Sequence, residues 1–218
     1  MEKFKRLSGE NRLLIFGIPV LVIVAVVGWL IWHATADLDE IEARTLELNS
    51  VATLAWEHLV LVIVSALLVI ATAIPLGIVL TRQSTQFLAP VVKAIANIGQ
   101  AAPVVGVIVL LAIWLGFGTP VAILGLWFYA FLPVLANVIA GLRGVDKQLI
   151  EAAHGLSMSP FQVLMKVELP LALPVIMNGV RTSLVLLVGA GAFATFIDAG
   201  GLGGLITSGI NLYRNPIL

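Results

Sequence analysis

Side-chain chemistry has most room to act in residues 151–170, the longest polar interruption in the second half of an apolar chain. Signals that end and begin helices lie close together here. Gly155 can end one short helix, and Ser159-Pro160 can begin another, because a serine hydroxyl accepts from a free backbone N–H and proline has none to leave unbonded. The pattern predicts a polar helical hairpin outside the lipid, and its expected chemistry is the docking of another protein.

Enzymatic and metal chemistry are not indicated by the remaining polar residues. The histidines His33, His58 and His154 are far apart and the chain has no cysteine, so we expect no catalytic residue and no metal site. No Gly-x-x-x-x-Gly-Lys-Ser/Thr motif occurs, so we expect ATP and Mg²⁺ to bind elsewhere than on this chain, which has no cofactor of its own. A formal net charge of zero does not favour a nucleic-acid partner.

The composition places these residues in a membrane protein. Hydrophobic residues make up 60% of the chain and charged residues 11%, whereas soluble domains contain about 25% charged residues. A segment that crosses lipid must satisfy its backbone groups internally, and long apolar runs do so as helices. We therefore expect an all-α fold, a polytopic membrane helix bundle with the lipid bilayer as its solvent.

Five apolar segments are long enough for a bilayer core of about 30 Å at about 1.5 Å per residue. The first, residues 13–32, is too long for a cleaved signal peptide and ends in bulky tryptophans, so we expect a retained span. An acidic connection, residues 33–57, follows; we interpret it as a solvated linker, and an amphipathic surface helix in part of it is the alternative. The other predicted spans are residues 58–80, 86–115 (broken at Pro103), 121–142 and 169–194, and residues 205–218 begin a further helix.

The distribution of Lys and Arg predicts the orientation, because short cytoplasmic loops carry the excess of positive charge. With the N-terminus in the cytoplasm, Arg44 and Arg214 fall outside, and nine residues fall inside: Lys3, Lys5, Arg6, Arg12, Arg82, Lys93, Arg143, Lys147 and Lys166. The hairpin is then cytoplasmic. Arg181 is the one charge expected near membrane depth, either snorkelling to the interface or stabilising the loop or a neighbouring helix.

Uncharged polar residues within the spans are the candidates for a transport pathway. Gln100, Asn137 and Asn178 are such residues, and hydrogen bonding between helices is the alternative use for each of them. The predicted spans hold no carboxylate, although proton-coupled carriers need titratable groups at that depth. The energy source is therefore expected outside this chain.

The hairpin sequence resembles the EAA loop of ABC-importer permeases. Glu151-Ala152-Ala153 is followed at the expected distance by Val167-x-Leu169-Pro170. The family usually has Gly where Ser157 stands and Ile where Val167 stands; Gly155 lies two residues before Ser157 and can supply the turn. The resemblance implies that Ala152 and Ala153 allow close approach to a groove of a separate ATPase. The implied coupling residues are Glu151, Ala152, Ala153, Gly155, Ser157, Ser159, Pro160, Leu169 and Pro170.

This resemblance also implies an architecture and partners. It implies a MetI-like ABC permease fold with an additional N-terminal span, in which residues 1–57 form the tail, first span and connection. Residues 58–218 would form the transport domain, with a coupling loop at 143–169 and a last span missing after Leu218. The implied partners in the cell membrane are ABC ATPase subunits that bind ATP and Mg²⁺, a second permease chain (identical or homologous) and an extracytoplasmic substrate-binding protein.

Within that family the similarity is greatest to permeases for osmoprotectants such as glycine betaine, choline, carnitine or proline betaine. It rests on residues 166–176, 179–183 and 199–203. Aromatic residues are only 7% of the chain, so selectivity is expected to reside largely in the binding protein. Three alternatives stay open: a permease for amino acids or other small zwitterions, an ion-coupled carrier or channel without an ATPase, and a membrane anchor without a pathway.

Overall fold

The computed structural model describes residues 9–217, and every regular element in that range is helical. Lys3, Lys5, Arg6 and Leu218, which entered the predictions above, lie outside it. The ten α-helices are α1 (Gly9–Thr35), α2 (Glu40–Thr45), α3 (Leu48–Val79), α4 (Ala89–Ala101), α5 (Val104–Leu115), α6 (Thr119–Arg143), α7 (Lys147–Gly155), α8 (Pro160–Val163), α9 (Leu169–Ala190) and α10 (Gly203–Leu212). Short 3₁₀ turns occupy Gln86–Leu88, Gly191–Ile197 and Asn215–Ile217, and a π-helical turn occupies Leu164–Glu168.

The chain forms two compact units, one ending at Arg44 and the other beginning at Thr45. The first unit contains the apolar helix α1 and most of α2. Asp39 begins α2 by accepting from the backbone N–H groups of Ile41 and Glu42, both at 2.9 Å, and Glu42 accepts in return from the N–H of Asp39 at 3.1 Å. This reciprocal cap accounts for the only helix within the acidic connection before Leu48.

The second span begins ten residues earlier than predicted. We expected it at His58, but α3 starts at Leu48 and runs for 32 residues, about 48 Å. The assignment of Glu57 to the connection is therefore wrong: Glu57 lies within α3 and its Oε2 accepts from the N–H of Gly201 at 3.0 Å. Residues 48–57 mix apolar side chains with Asn49, Ser50 and Thr53, and the prediction stopped at the charge of Glu57, so it left out the N-terminal part of this helix.

The third predicted span is broken where the sequence indicated. Proline has no N–H and disfavours helix in the residue before it, and α4 and α5 are separated at Ala102-Pro103 with an angle of 98° between them. Within the described residues, four helices are long and apolar enough to cross a membrane, and there are five if this bent pair forms one span.

Helix α6 forms the centre of the second unit, where it contacts α3, α4, α5 and α9. Its fully buried residues include Leu126, Val134, Leu135 and Val138. Glycines bring the neighbouring helices close. A Cβ on Gly77 of α3 would lie 2.5 Å from Val138, and a Cβ on Gly179 of α9 would lie 2.7 Å from the carbonyl oxygen of Pro133. Backbone contact of this kind replaces the hydrophobic driving force that lipid does not provide between helices.

The end of the bundle remote from the hairpin is closed by backbone contacts. The N–H of Gly118, just before α6, donates to the carbonyl of Ile197 at 2.8 Å. His58 on α3 is buried, and its Nε2–H donates to the carbonyl of Val188 on α9 at 3.0 Å. These two bonds connect α3, the start of α6 and the end of α9. They lie at the end of the bundle that holds the loop before α6 and the loop after α9.

Candidate functional site

The predicted hairpin is present as an ordered structure between α6 and α9. Helix α6 ends at Arg143, and the side chain of Asp146 begins α7 by accepting from the N–H of Gln148 at 2.9 Å. Helix α7 ends at Gly155, and α8 follows at Pro160. The prediction of helix, turn and helix in this segment is therefore confirmed.

The turn itself is made by Ser157 and not by Gly155. Ser157 has φ +60°, in the left-handed region, whereas Gly155 is the last helical residue and has open space around its Cα. The backbone carbonyls of His154 and Ala153 accept from the N–H groups of Ser157 and Met158, at 2.9 and 3.2 Å. Ser157 stands where the resembling family has glycine, which adopts this conformation without steric cost. The prediction that Gly155 supplies the turn is wrong.

The second helix of the hairpin begins as predicted. The Ser159 hydroxyl accepts from the N–H of Gln162 at 3.3 Å, while Gln162 Oε1 accepts from the N–H of Ser159 at 2.9 Å, with Pro160 at the first helical position. This is a capping box, which satisfies two free backbone donors reciprocally. Helix α8 then passes through the π turn into α9, which begins at Leu169-Pro170, so Pro160–Ile197 is one helical stretch.

An ion pair with a buried carboxylate ties the hairpin to α3. Arg82, three residues beyond the end of α3, donates from both terminal nitrogens to Glu168, at 2.6 Å to Oε2 and 3.3 Å to Oε1. The Glu168 side chain is 10% exposed and the Arg82 side chain 39%. Arg82 Nε–H also donates to the carbonyl of Ile78 at 3.3 Å, which fixes the guanidinium against the end of α3. Planar bidentate pairing of this kind is strong and orientationally specific.

The surface that the hairpin leaves open is apolar at its tip. Leu156 is 78% exposed and Phe161 67%, and Leu149 and Met165 are also exposed. Glu151 and Ala152 lie on the exposed side of α7. Ala153 is only 5% exposed, so the expectation that its side chain approaches a partner directly is wrong. A small residue fits a buried position on a helix that packs against α8 and the π turn.

The three pathway candidates lie on three different helices. Asn137 donates from Nδ2 to the carbonyl of Pro133 on its own helix at 2.8 Å, and it lies where α6 crosses Gly179. Asn178 is exposed on α9, and Gln100 is half-buried in the last turn of α4. The hydrogen bond of Asn137 stays within α6, so it is not the bond between helices that was the alternative use. A pathway role stays a prediction for all three residues.

Sequence reasoning missed the two halves of the ion pair. Arg82 was predicted only as one of the cytoplasmic basic residues and Glu168 as part of the polar hairpin, and nothing in their spacing of 86 residues connects them. One signal was available: Glu168 is a lone carboxylate between Val167 and Leu169 at the start of an apolar helix, where a buried charge needs a partner. In residues 9–217 no group of three or more His, Asp or Glu side chains could hold a metal ion.

Comparisons with known proteins agree with this architecture. The family model described as "binding-protein-dependent transport system inner membrane component" matches residues 73–218. The choline transport system permease protein of Bacillus subtilis (strain 168) is 42% identical over 159 residues, 73% of this chain and 72% of the relative. The osmoprotectant import permease protein of Salmonella typhimurium is 36% identical over 208 residues, 95% of this chain and 85% of the relative.

A solved structure shares the fold. A chain of the MetNI methionine ABC transporter in an inward-facing conformation superimposes with a TM-score of 0.66 at 27% identity, covering 79% of this chain and 83% of that chain. The predicted all-α membrane bundle of MetI-like fold is thereby confirmed. With 146 residues matched by the family model and relatives of this identity, the chain belongs to the family of binding-protein-dependent transport system inner membrane components, the permease subunits of ABC importers.

Proposed function

We propose that this chain carries a small quaternary-ammonium osmoprotectant, such as choline or glycine betaine, across the cell membrane as part of an ATP-driven importer. The choline and osmoprotectant permeases that it resembles support this substrate class. A second permease chain completes the pathway, and an extracytoplasmic binding protein delivers the substrate. ATP and Mg²⁺ are held by separate ATPase subunits. The excess of Lys and Arg on the hairpin side supports a cytoplasmic N-terminus and hairpin.

The hairpin carries the proposal of ATPase coupling. The hairpin has capped helices and presents Leu156 and Phe161 to solvent. Exposing these apolar side chains to water does not stabilise the chain by itself. Exposed apolar side chains framed by polar ones are typical of protein interaction sites. Residues Glu151, Ala152, Gly155, Ser159 and Pro160 form or shape this surface, and the ends of the hairpin lie on α6 and α9, so movement of the ATPase reaches both helices.

Co-purification and ATPase activity test the proposal. We expect the tagged chain to bring down an ATPase whose activity in proteoliposomes rises when a quaternary amine and the binding protein are present. Stimulation by amino acids alone would retain the importer and reject the osmoprotectant. If no ATPase is recovered, the coupling proposal is wrong and an ion-coupled carrier or channel takes its place.

A matched pair of variants localises the interaction. Phe161→Ala removes a 67% exposed ring at the hairpin, whereas Phe117→Ala removes a 70% exposed ring beside the start of α6. The two positions lie at opposite ends of α6, which is about 37 Å long. We expect Phe161→Ala to reduce the recovered ATPase at least fivefold and Phe117→Ala to leave it unchanged. Equal recovery with both variants contradicts docking at the hairpin.

A further inference from the structure

A cavity of about 260 Å³ lies between α3, α4 and α6 and is lined mainly by aromatic and aliphatic side chains. Its volume is a little below the roughly 300 Å³ at which pockets for drug-sized ligands begin, so it suits a smaller molecule. About one turn of α3 and one turn of α6 supply its distinctive groups. The principal lining residues are Thr72, Leu76, Ile95, Trp127, Phe128 and Phe131.

The indole of Trp127 is held in one orientation by a hydrogen-bonded chain. Its Nε1–H donates to the Thr72 hydroxyl at 2.8 Å, and that hydroxyl donates to the carbonyl of Leu68 at 2.7 Å. Both polar groups at the cavity are therefore engaged within the protein. What Trp127 leaves for a ligand is the face of its ring, and a ring fixed in advance loses little entropy on binding.

Two further rings surround that indole. Phe128 and Phe131 each have their centroid 5.2 Å from that of Trp127, at interplanar angles of 87° and 58°. Gly99 of α4 lets Phe128 take its position, because a Cβ there would lie 2.8 Å from the Phe128 ring. The result is a partial box of three rings at different angles. The negative faces of such rings attract cations, and quaternary ammonium groups are the ligands that aromatic boxes of this kind recognise.

The position of the cavity along α6 suits a substrate bound part-way across the membrane. Trp127 is eight residues from the start of α6 and Phe131 twelve residues from its end, which is roughly 12 Å and 18 Å along the helix axis. The cavity therefore lies near the middle of the span, remote from the hairpin and from the opposite loops.

We propose that this aromatic cavity is a binding site within the membrane for the trimethylammonium group of a small organic cation such as choline. A quaternary ammonium has no N–H, so it needs no acceptor from a lining whose polar atoms are already bonded. A carboxylate finds no free donor among the lining residues, so the site favours choline over the zwitterion glycine betaine. The inference rests on the proposed function, because only an importer of such compounds presents them to this cavity.

The test is equilibrium binding of radiolabelled choline to the purified permease–ATPase complex in the absence of the substrate-binding protein. We expect saturable binding that tetramethylammonium displaces. The neutral carbon analogue 3,3-dimethylbutan-1-ol, which has the same shape without the charge, should displace choline at least tenfold less well. Equal displacement by the neutral analogue overturns the proposal, because it shows a site without cation recognition. Equal displacement by glycine betaine overturns it as well, because a lining that offers a carboxylate no free donor should disfavour the zwitterion.

Matched tryptophan variants connect the binding to the cavity. Trp127→Leu should weaken choline binding at least tenfold, about 1.4 kcal/mol, whereas Trp114→Leu, at a position 80% exposed on α5 and outside the cavity lining, should not change it. Thr72→Val retains the ring and frees its N–H, and we expect a smaller loss, about threefold. Unchanged binding in a folded Trp127→Leu complex overturns the assignment.

The transport measurements separate the two proposals. A wild-type complex that transports no quaternary amine contradicts the proposed function. If the wild-type complex imports choline and the Trp127→Leu complex imports it with the same concentration dependence, the proposed function stands. The cavity is then rejected as a choline-binding site. Basal ATPase activity and subunit recovery serve as the folding control, because Trp127 is remote from the hairpin.

Discussion

Breaking the ion pair between Arg82 and Glu168 tests how the hairpin is fixed to the bundle. The pair joins the end of α3 to the π turn before α9, and Glu168 is the more buried partner. Arg82→Ala leaves a carboxylate enclosed without its cation, whereas Glu168→Ala leaves a guanidinium that water still reaches. We therefore expect Arg82→Ala to be the more damaging of the two substitutions.

The magnitude follows from the exposure of the two side chains. Removing one partner of a fully buried pair costs about 3–5 kcal/mol, but the Arg82 side chain is 39% exposed, and water there reduces the loss. We expect about 2–3 kcal/mol for Arg82→Ala and about 1–2 kcal/mol for Glu168→Ala. At about 2–4 °C per kcal/mol for a chain of this size, Arg82→Ala should lower the Tm by about 5–10 °C.

Thermal unfolding of the purified complex, in a double-mutant cycle, measures the pair. The double variant should lose less stability than the sum of the two single variants, because the second substitution removes the group that the first left unpaired. Arg82→Lys is the matched control: it retains the charge but not the bidentate geometry, and it should lose less than Arg82→Ala. Additive losses, or a larger effect of Glu168→Ala, would refute the reasoning from burial.

Three glycine-related predictions can be checked by the same Tm measurement. Ser157→Gly should raise the free energy of unfolding by about 1 kcal/mol, and so raise the Tm slightly, because φ +60° favours glycine. A lower Tm contradicts this. Gly179→Ala places a methyl group 2.7 Å from atoms of α6 and should cost about 1–3 kcal/mol, whereas Gly189→Ala, with open space around it, should be neutral; equal effects reject the packing argument. Gly200→Ala, at φ +79° and against the Glu57 carboxylate, should lower the Tm, and an unchanged Tm would show that the loop can move away.

The helical spans were predictable because hydropathy and length decide them locally. The break at Pro103, the ends of α6 within two residues and the start of α9 at Leu169 all follow from backbone rules that act over a few positions. The start of α3 was not found, because the prediction ended the span at the charge of Glu57, although residues 48–57 mix apolar side chains with Asn49, Ser50 and Thr53. A helix can continue beyond its apolar segment where its backbone hydrogen bonds favour it. Hydropathy alone does not show at which residue such a helix ends.

The position of the hairpin in the sequence was predictable, but the roles of its individual residues were predicted only in part. The capping residues Ser159 and Pro160 have local signatures, and the structure places them as expected. The resemblance implied that Ala153 approaches a partner, but its side chain is buried in the chain alone. The contact of Arg82 with Glu168 depends on how α3 and α9 meet, and the box around Trp127 depends on three helices. Such contacts between distant residues are fixed by packing, which one sequence does not show.

The π turn at Leu164–Glu168 explains how α8 and α9 can face different surroundings although they belong to one helical stretch. An α-helix advances 100° per residue, and a π turn adds about one residue to a turn, so it rotates everything before it relative to everything after it. On one side of the turn Phe161 is exposed and Val163 is enclosed by the hairpin; on the other side α9 keeps its packing against α6. Glu168 stands at the junction, where Arg82 holds it. A force on the hairpin tip therefore reaches α9 through a continuous backbone and α3 through the ion pair, so the same displacement acts on two helices that enclose α6.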